Sequence, residues 1–274
     1  MTILDEIAAK TRVRISEKKE ICPPAELIKR VENIMSAQKD GEASKISGDH
    51  RGYAFYSALS KPGISYICEV KKASPSKGLI AEDFPYLDIA KEYETAGASA
   101  ISCLTEPYWF LGRDEYLSDI TENVAIPVLR KDFTVDEYMI YEAKALGAAA
   151  ILLICAILTD AELKEYSRKA YGLGLDCLVE AHDEEEIRRA KAAGANIIGV
   201  NNRNLHDFSV DQGNALRLRK LVGDDALFVS ESGIQTGEDI QMLRDARVDA
   251  VLIGETLMRA SDKGAKLMEL NGGA

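Results

Sequence analysis

A short pattern returns about every fifty residues in this chain, and it limits the possible folds more than any other feature. Ala96-Gly97-Ala98-Ser99-Ala100 runs into Ile101-Ser102-Cys103-Leu104, and Leu146-Gly147-Ala148-Ala149-Ala150 into Ile151-Leu152-Leu153-Ile154. Ala193-Gly194-Ala195-Asn196 runs likewise into Ile197-Ile198-Gly199-Val200, and Arg247-Val248-Asp249-Ala250-Val251-Leu252-Ile253-Gly254 is a looser fourth copy. In each copy a helix closes at glycine, or at the residue standing in its place, where the chain needs a left-handed conformation; a strand begins at once. Four more strand-like runs, at 64–70, 126–130, 175–179 and 226–230, lie between the copies. Helical patterns such as those at 135–146, 160–171, 183–193, 211–222 and 237–246 fill the gaps. Strands that read as continuous apolar runs are buried on both faces, the mark of a parallel sheet. Eight of them alternating with helices predict an α/β fold, a (β/α)8 TIM barrel with an N-terminal helical extension. The rival, an open doubly wound sheet, calls for Gly-x-Gly-x-x-Gly after its first strand, and none is present.

The length of 274 residues suits one barrel domain over 1–274, with 1–60 as the helical extension and 61–274 as the barrel. Residues 2 to about 38 read as helix, broken at Cys22-Pro23-Pro24. Ile3, Leu4, Ile7 and Ala8, then Leu27, Val31 and Ile34, fall at helical spacing, and Thr2 with Asp5 forms a capping pattern. A short helical turn is expected at 53–59, ended by Lys61-Pro62-Gly63.

The net charge of −11 argues against nucleic acid or an anionic membrane as the main partner. Five cysteines have no metal-type spacing, and most sit in apolar runs where a thiol acts as a small hydrophobe; a reducing compartment fits. His50, His182 and His206 lie in unrelated loops, so no zinc site is visible. The acidic run Asp183-Glu184-Glu185-Glu186 belongs at a helix start and is read as structural. Asp5 and Glu6 charge the N-terminus and no long apolar run follows, so neither signal peptide nor membrane span is expected, and the protein reads as cytoplasmic.

In this barrel class the working groups sit at the C-terminal ends of the strands. Those ends carry Glu69-Val70-Lys71, Leu104-Thr105-Glu106, Arg130-Lys131-Asp132-Phe133, Val179-Glu180-Ala181-His182, Val200-Asn201-Asn202-Arg203, Glu231-Ser232-Gly233 and Gly254-Glu255. Only the fourth strand ends apolar, at Leu152-Leu153-Ile154-Cys155-Ala156, which suits a wall for a substrate ring. Any one of these charged ends reads best as a surface ion pair. Together at one mouth they point to a ligand, the alternative being a structural ion network, because each must be solvated or paired. Glu69 and Lys71, two apart on a strand, point to the same side and suit proton transfer. Ser232-Gly233 and Gly254-Glu255 follow the seventh and eighth strands, where this barrel places a phosphate. A Cβ added at Gly254 is expected to obstruct that phosphate, and the Glu255 carboxylate must turn away for its backbone N–H to serve.

Six of these stretches, in order, resemble the motifs of the indole-3-glycerol phosphate synthase family. They are Glu69-Val70-Lys71-Lys72-Ala73-Ser74-Pro75-Ser76, Pro127-Val128-Leu129-Arg130-Lys131-Asp132-Phe133, Val179-Glu180-Ala181-His182, Asn201-Asn202-Arg203-Asn204-Leu205, Glu231-Ser232-Gly233-Ile234 and Leu252-Ile253-Gly254-Glu255. Ala181 and Asn204 depart from the family pattern beside the key positions. The resemblance implies ring closure, decarboxylation and dehydration of 1-(2-carboxyphenylamino)-1-deoxyribulose 5-phosphate. It implies Lys131 as general acid, with Glu180, Lys71 and Glu69 dividing the later proton transfers. Ser74, Phe133, Asn201, Arg203 and Ser232 would bind substrate, and Gly233, Gly254 and Glu255 its phosphate. It implies no metal or redox cofactor, because the reaction has no net redox change, and a monomer or weak homodimer with a phosphorylated small molecule as its partner. Two alternatives stay open: Lys131 as the Schiff-base lysine of an aldolase, which borohydride trapping would reveal, and a catalytically silent phosphate-binding module.

Overall fold

The computed structural model describes residues 2–41, 53–204 and 208–272. Eight parallel strands close into a barrel: β1 (Ser65–Val70), β2 (Ala100–Leu104), β3 (Val128–Lys131), β4 (Ala150–Ile154), β5 (Asp176–Ala181), β6 (Ile197–Asn201), β7 (Leu227–Glu231) and β8 (Ala250–Ile253). The closing pair is β1 with β8, in register from Ser65 opposite Ala250 to Cys68 opposite Ile253. Alternation along each strand sorts the side chains. Ile67, Leu129, Leu178, Val229 and Leu252 fill the interior, while Tyr66, Cys68, Ile101, Val179 and Phe228 face the surrounding helices.

The outer ring comprises α4 (Tyr86–Thr95), α5 (Asp114–Asn123), α6 (Glu137–Ala145), α7 (Asp160–Gly172), α8 (Glu184–Ala192), α9 (Gly213–Val222) and α10 (Gly237–Asp245), followed by α11 (Glu255–Arg259) and α12 (Lys263–Leu270). The repeat is the helix-to-strand joint. Gly97, Gly147 and Gly194 stand there with φ of +93°, +85° and +82°. Arg247 takes the same place in the fourth copy with φ +57°, a conformation an L residue adopts at some strain. Strands β3, β5 and β7 each run one or two residues further than the apolar pattern suggested. Their last residues, Lys131, Ala181 and Glu231, still pair in the ladder although two of the three are charged.

The N-terminal helices close both ends of the barrel. Helix α1 (Ile3–Ile21) carries the capping box between Thr2 and Asp5 and lies over the C-terminal mouth. Arg14 makes two bonds of 2.9 Å to the Asp132 carboxylate, and Arg12 donates to the Val135 carbonyl. Lys18 reaches both Asp114 and Glu142. The same two carboxylates hold Arg130, the residue before Lys131 on β3, which faces outward at 2.9 Å from Asp114 and 2.6 Å from Glu142. After the Pro23-Pro24 break, α2 (Pro24–Gly41) packs along α6. The helical extension expected over 1–60 falls partly outside the described residues.

Helix α3 (Ala54–Leu59) seals the opposite end, with Phe55 and Leu59 buried against the interior layer. Asp176, at the start of β5, accepts the Tyr56 N–H at 2.8 Å and so caps α3 from within the barrel. Its other oxygen has no hydrogen-bond partner among the described residues. Burial pushes the Asp176 carboxyl up to about 7, against the pull of its backbone N–H bonds. A carboxyl raised on folding favours the folded state at low pH, and that contribution is lost as pH climbs from the unfolded value near 4 through about 7. Asp176→Asn keeps the cap and removes the titration. In chemical denaturation, its stability relative to wild type should improve by about 2–4 kcal/mol between acid and mildly alkaline pH; a constant difference would show that Asp176 does not titrate in that window.

Candidate active site

The interior-facing ends of β1, β3, β5 and β7 bring Glu69, Lys131, Glu180 and Glu231 together at the floor of the mouth. Lys131 Nζ lies 3.2 Å from Glu180 Oε2 and 3.2 Å from Glu231 Oε2. Lys71 Nζ sits 2.5 Å from Glu69 Oε1, whose second oxygen accepts from Ser102 Oγ. Asn201 Nδ2 donates to the other oxygen of Glu180 at 3.4 Å. Burial alone would lower the Lys131 ammonium, but Glu231, Glu180 and Glu69 outweigh it and hold the group above its ordinary value. Burial would likewise raise Glu69 and Glu180, yet Lys71 and Lys131 keep the first low, and Lys131 with His182 the second. For Glu231 burial wins: with the neighbouring carboxylates it overcomes the attraction of Lys131 and pushes the carboxyl up to about 7. Glu231 Oε1, which lies against Gly199 and has no hydrogen-bond partner among the described residues, is where the proton fits.

All twelve residues singled out from the sequence line one cavity of about 920 Å³ above this cluster: Glu69, Lys71, Ser74, Lys131, Phe133, Glu180, Asn201, Arg203, Ser232, Gly233, Gly254 and Glu255. One flank is apolar. Leu152 and Ile154 from β4 stand with Phe133 and with Ile3, Leu4 and Ile7 of α1, so the apolar strand end does form a wall. The opposite flank is cationic. Lys77, Arg203 and Arg259 converge on Glu255 at 3.4, 3.8 and 3.1 Å, and Arg259 and Lys77 keep its carboxyl low against the effect of burial. The turn after β7 passes through two left-handed residues, Ser232 at φ +68° and Gly233 at φ +85°.

The two glycines differ from expectation. A Cβ at Gly233 would strike Val210 and Gln212, at the cationic end. A Cβ at Gly254 would instead strike Glu69 Oε1 and Lys71 Nζ, because this glycine follows β8 directly across from Glu69. Gly254 therefore makes room for the acid–base pair, and a side chain there disturbs that pair first.

Several contributors, Lys77 and Arg259 of the cationic flank among them, were given no role from the sequence. Glu231 was read at a strand end but given no role; its inward position follows from alternation on β7. Phe110 lines the cavity 6.1 Å from the Phe133 ring centroid. It is placed by the buried Glu106 carboxylate, which accepts the N–H groups of Tyr108, Trp109 and Phe110. Helix α1 also lines the mouth, a position that no local spacing reveals. Among the described residues no group of three or more His, Cys, Asp or Glu is arranged to hold a metal ion, and no helix is long and apolar enough to cross a membrane.

Fold and site together define a (β/α)8 barrel with carboxylate and ammonium groups gathered at the C-terminal ends of its strands. Solved structures support the architecture: 3-hexulose-6-phosphate synthase (TM-score 0.62, 15% identity, 76% of this chain and 99% of that one) and a tryptophan synthase alpha-subunit mutant from Pyrococcus furiosus (TM-score 0.58, 15% identity, 76% and 98%). Sequence gives the family. The profile of indole-3-glycerol phosphate synthase matches residues 4–270. The indole-3-glycerol phosphate synthase of Ruminiclostridium cellulolyticum is 55% identical over 99% of this chain and 100% of its own, and that of Endomicrobium trichonymphae 53% identical over 98% and 99%. The chain belongs to the indole-3-glycerol phosphate synthase family.

Because Ile3, Leu4 and Ile7 form part of the cavity wall, removing residues 1–20 should raise the Michaelis constant or lower turnover beyond what lost stability explains. Kinetics measured well below the truncated protein's melting temperature test this; unchanged values there would leave α1 a structural cover only.

Proposed function

We propose that this chain converts 1-(2-carboxyphenylamino)-1-deoxyribulose 5-phosphate to indole-3-glycerol phosphate, a carboxy-lyase step of tryptophan biosynthesis. The observation that carries the reading is the Lys131 ammonium, fixed by two carboxylates at 3.2 Å beneath a cavity with one apolar and one cationic flank. The aryl group rests on Leu152, Ile154, Phe110 and Phe133, and the phosphate lies toward Arg203, Lys77, Ser232 and Gly233. Ring closure joins the carboxylate-bearing ring carbon to the ketone carbon; the carbonyl π pair moves onto oxygen, which takes a proton from Lys131. The carbon–carboxylate bond then breaks, CO2 leaves, and its electron pair restores the aromatic ring. Finally the new hydroxyl departs as water, protonated by Lys71 with Glu69 as its partner, while Glu180 accepts the proton lost from the neighbouring carbon. The balance is substrate carboxylate plus one proton, drawn from solvent as the lysines reload, to product, CO2 and water.

Lys131 as a Schiff-base nucleophile would need a neutral amine. The surrounding carboxylates favour the ammonium, so borohydride with substrate should trap nothing. The substrate is thus a phosphorylated small molecule, and we read residues 1–274 as a single working domain of a cytoplasmic enzyme.

Lys131→Ala should lower turnover, followed by indole fluorescence, by about 10² to 10⁴ with the fold retained, the usual scale for a positioned acid. Retention of more than roughly a tenth of the activity would remove Lys131 from the role. Gly233→Val should weaken a phosphate-bearing product analogue more than its dephosphorylated counterpart, whereas Gly254→Val should lower turnover. Equal losses for both analogues in Gly233→Val would place the phosphate elsewhere.

A further inference from the structure

Next to Glu180, outside the cavity wall, stands a histidine that the reaction does not use. His182 follows the end of β5, and its Nε2 lies 3.5 Å from Glu180 Oε1. Its Nδ1 lies 3.0 Å from Glu186 Oε2, and its backbone N–H donates to the same oxygen at 2.7 Å. Glu186 is the last member of the acidic run at the start of α8. Glu184 and Glu185 beside it are exposed, but Glu186 turns inward onto the imidazole. Asp183 caps the helix by accepting the Glu186 N–H, which fixes the backbone from which that side chain springs.

Only one protonation state suits both neighbours. Nδ1 must carry a proton to meet the Glu186 carboxylate. A neutral ring would then aim the Nε2 lone pair at the Glu180 carboxylate, which is repulsive. An imidazolium donates to Glu186 and attracts Glu180 through its charge. Nε2 is buried and has no hydrogen-bond partner among the described residues, so its approach to Glu180 is electrostatic. The charged groups acting on the ring are Glu186 from α8, Glu180 from its own strand and Glu231 from β7; Asn214 of α9 binds only the His182 carbonyl. Burial would lower the imidazole, but Glu186 and Glu180 outweigh it and hold the ring above its usual value.

We propose that Glu186 and His182 are a positioning pair that keeps Glu180 ionised and turned toward Lys131. This rests on the reading of Glu180 as a proton acceptor, and it gives the acidic run a task beyond starting a helix. His182 supplies the second cation that a buried carboxylate needs once Lys131 is shared with Glu231. On the acid side, loss of the imidazolium lets Glu180 take up a proton at higher pH and drop out of the reaction.

The test joins a kinetic and a spectroscopic readout. In wild type the His182 ring protons, followed by NMR, should titrate above about 6.5, and that midpoint should fall by about half a unit or more in Glu186→Gln and in Glu180→Gln. In His182→Gln the acid limb of kcat/KM should move up by about 0.5 to 1 unit with the alkaline limb in place. Glu186→Gln still accepts the backbone N–H and should give a smaller shift in the same direction, so it carries the test if His182→Gln folds poorly. An acid limb that stays put in both variants, or a ring that titrates normally and ignores Glu180→Gln, overturns the proposal. Turnover retained in Glu180→Gln would instead refute Glu180 as proton acceptor, a result separable because the NMR coupling is measured without substrate.

Discussion

Three carboxyl groups share the floor of this barrel with two ammonium groups, and the rest of the structure is arranged around that imbalance. Glu69, Glu180 and Glu231 face Lys71 and Lys131 in a space where little water enters, so a third full negative charge would be left unpaired. Two devices relieve it. Glu231 holds its proton up to about pH 7, pressed against the bare backbone of Gly199, and His182 lends a cation to Glu180 from outside. What remains is a lysine locked in its acidic form, beside carboxylates of unequal proton affinity. In the proposed reaction that inequality would let one small cluster both give and take protons during a single turnover.

Holding such a cluster dry requires closing a tube that eight strands leave open at each end. Helices α1 and α3 do these two jobs from opposite directions. Helix α1 presents Ile3, Leu4 and Ile7 to the cavity and ties itself down through Arg14 and Asp132, immediately after the acidic lysine. Helix α3 inserts Phe55 and Leu59 at the far end and borrows Asp176 as its cap. A segment needed by neither the sheet nor its repeats thus governs solvent access above and packing below.

Much of this was legible in the sequence, for reasons that can be named. The repeat marked four of the eight helix-to-strand joints because a left-handed residue is hard to disguise; Arg247 shows the exception, visible only through its apolar sequel. The twelve site residues gather in one cavity because strand ends in a closed barrel cannot do otherwise. Strand limits were less legible, since Lys131 and Glu231 are ladder residues with the chemistry of a loop. The behaviour of Gly254 depended on which side of β8 faces Glu69, a matter of register that no motif records. Phe110 hangs on three N–H groups gathered by Glu106, a contact whose geometry has no periodic signature. The place of α1 above the mouth is equally unmarked, since its apolar stripe would suit any cover.

Strand β3 carries charge on both faces in consecutive residues: Arg130 outward into Asp114 and Glu142, Lys131 inward between Glu180 and Glu231. A strand whose two faces were equally greasy could slide by one residue and still bury itself. Here a slip would swing the guanidinium into the mouth and strand the ammonium beneath the helices, leaving four acids mispaired at once. The strand that bears Lys131 thereby penalises a one-residue slip of its own register.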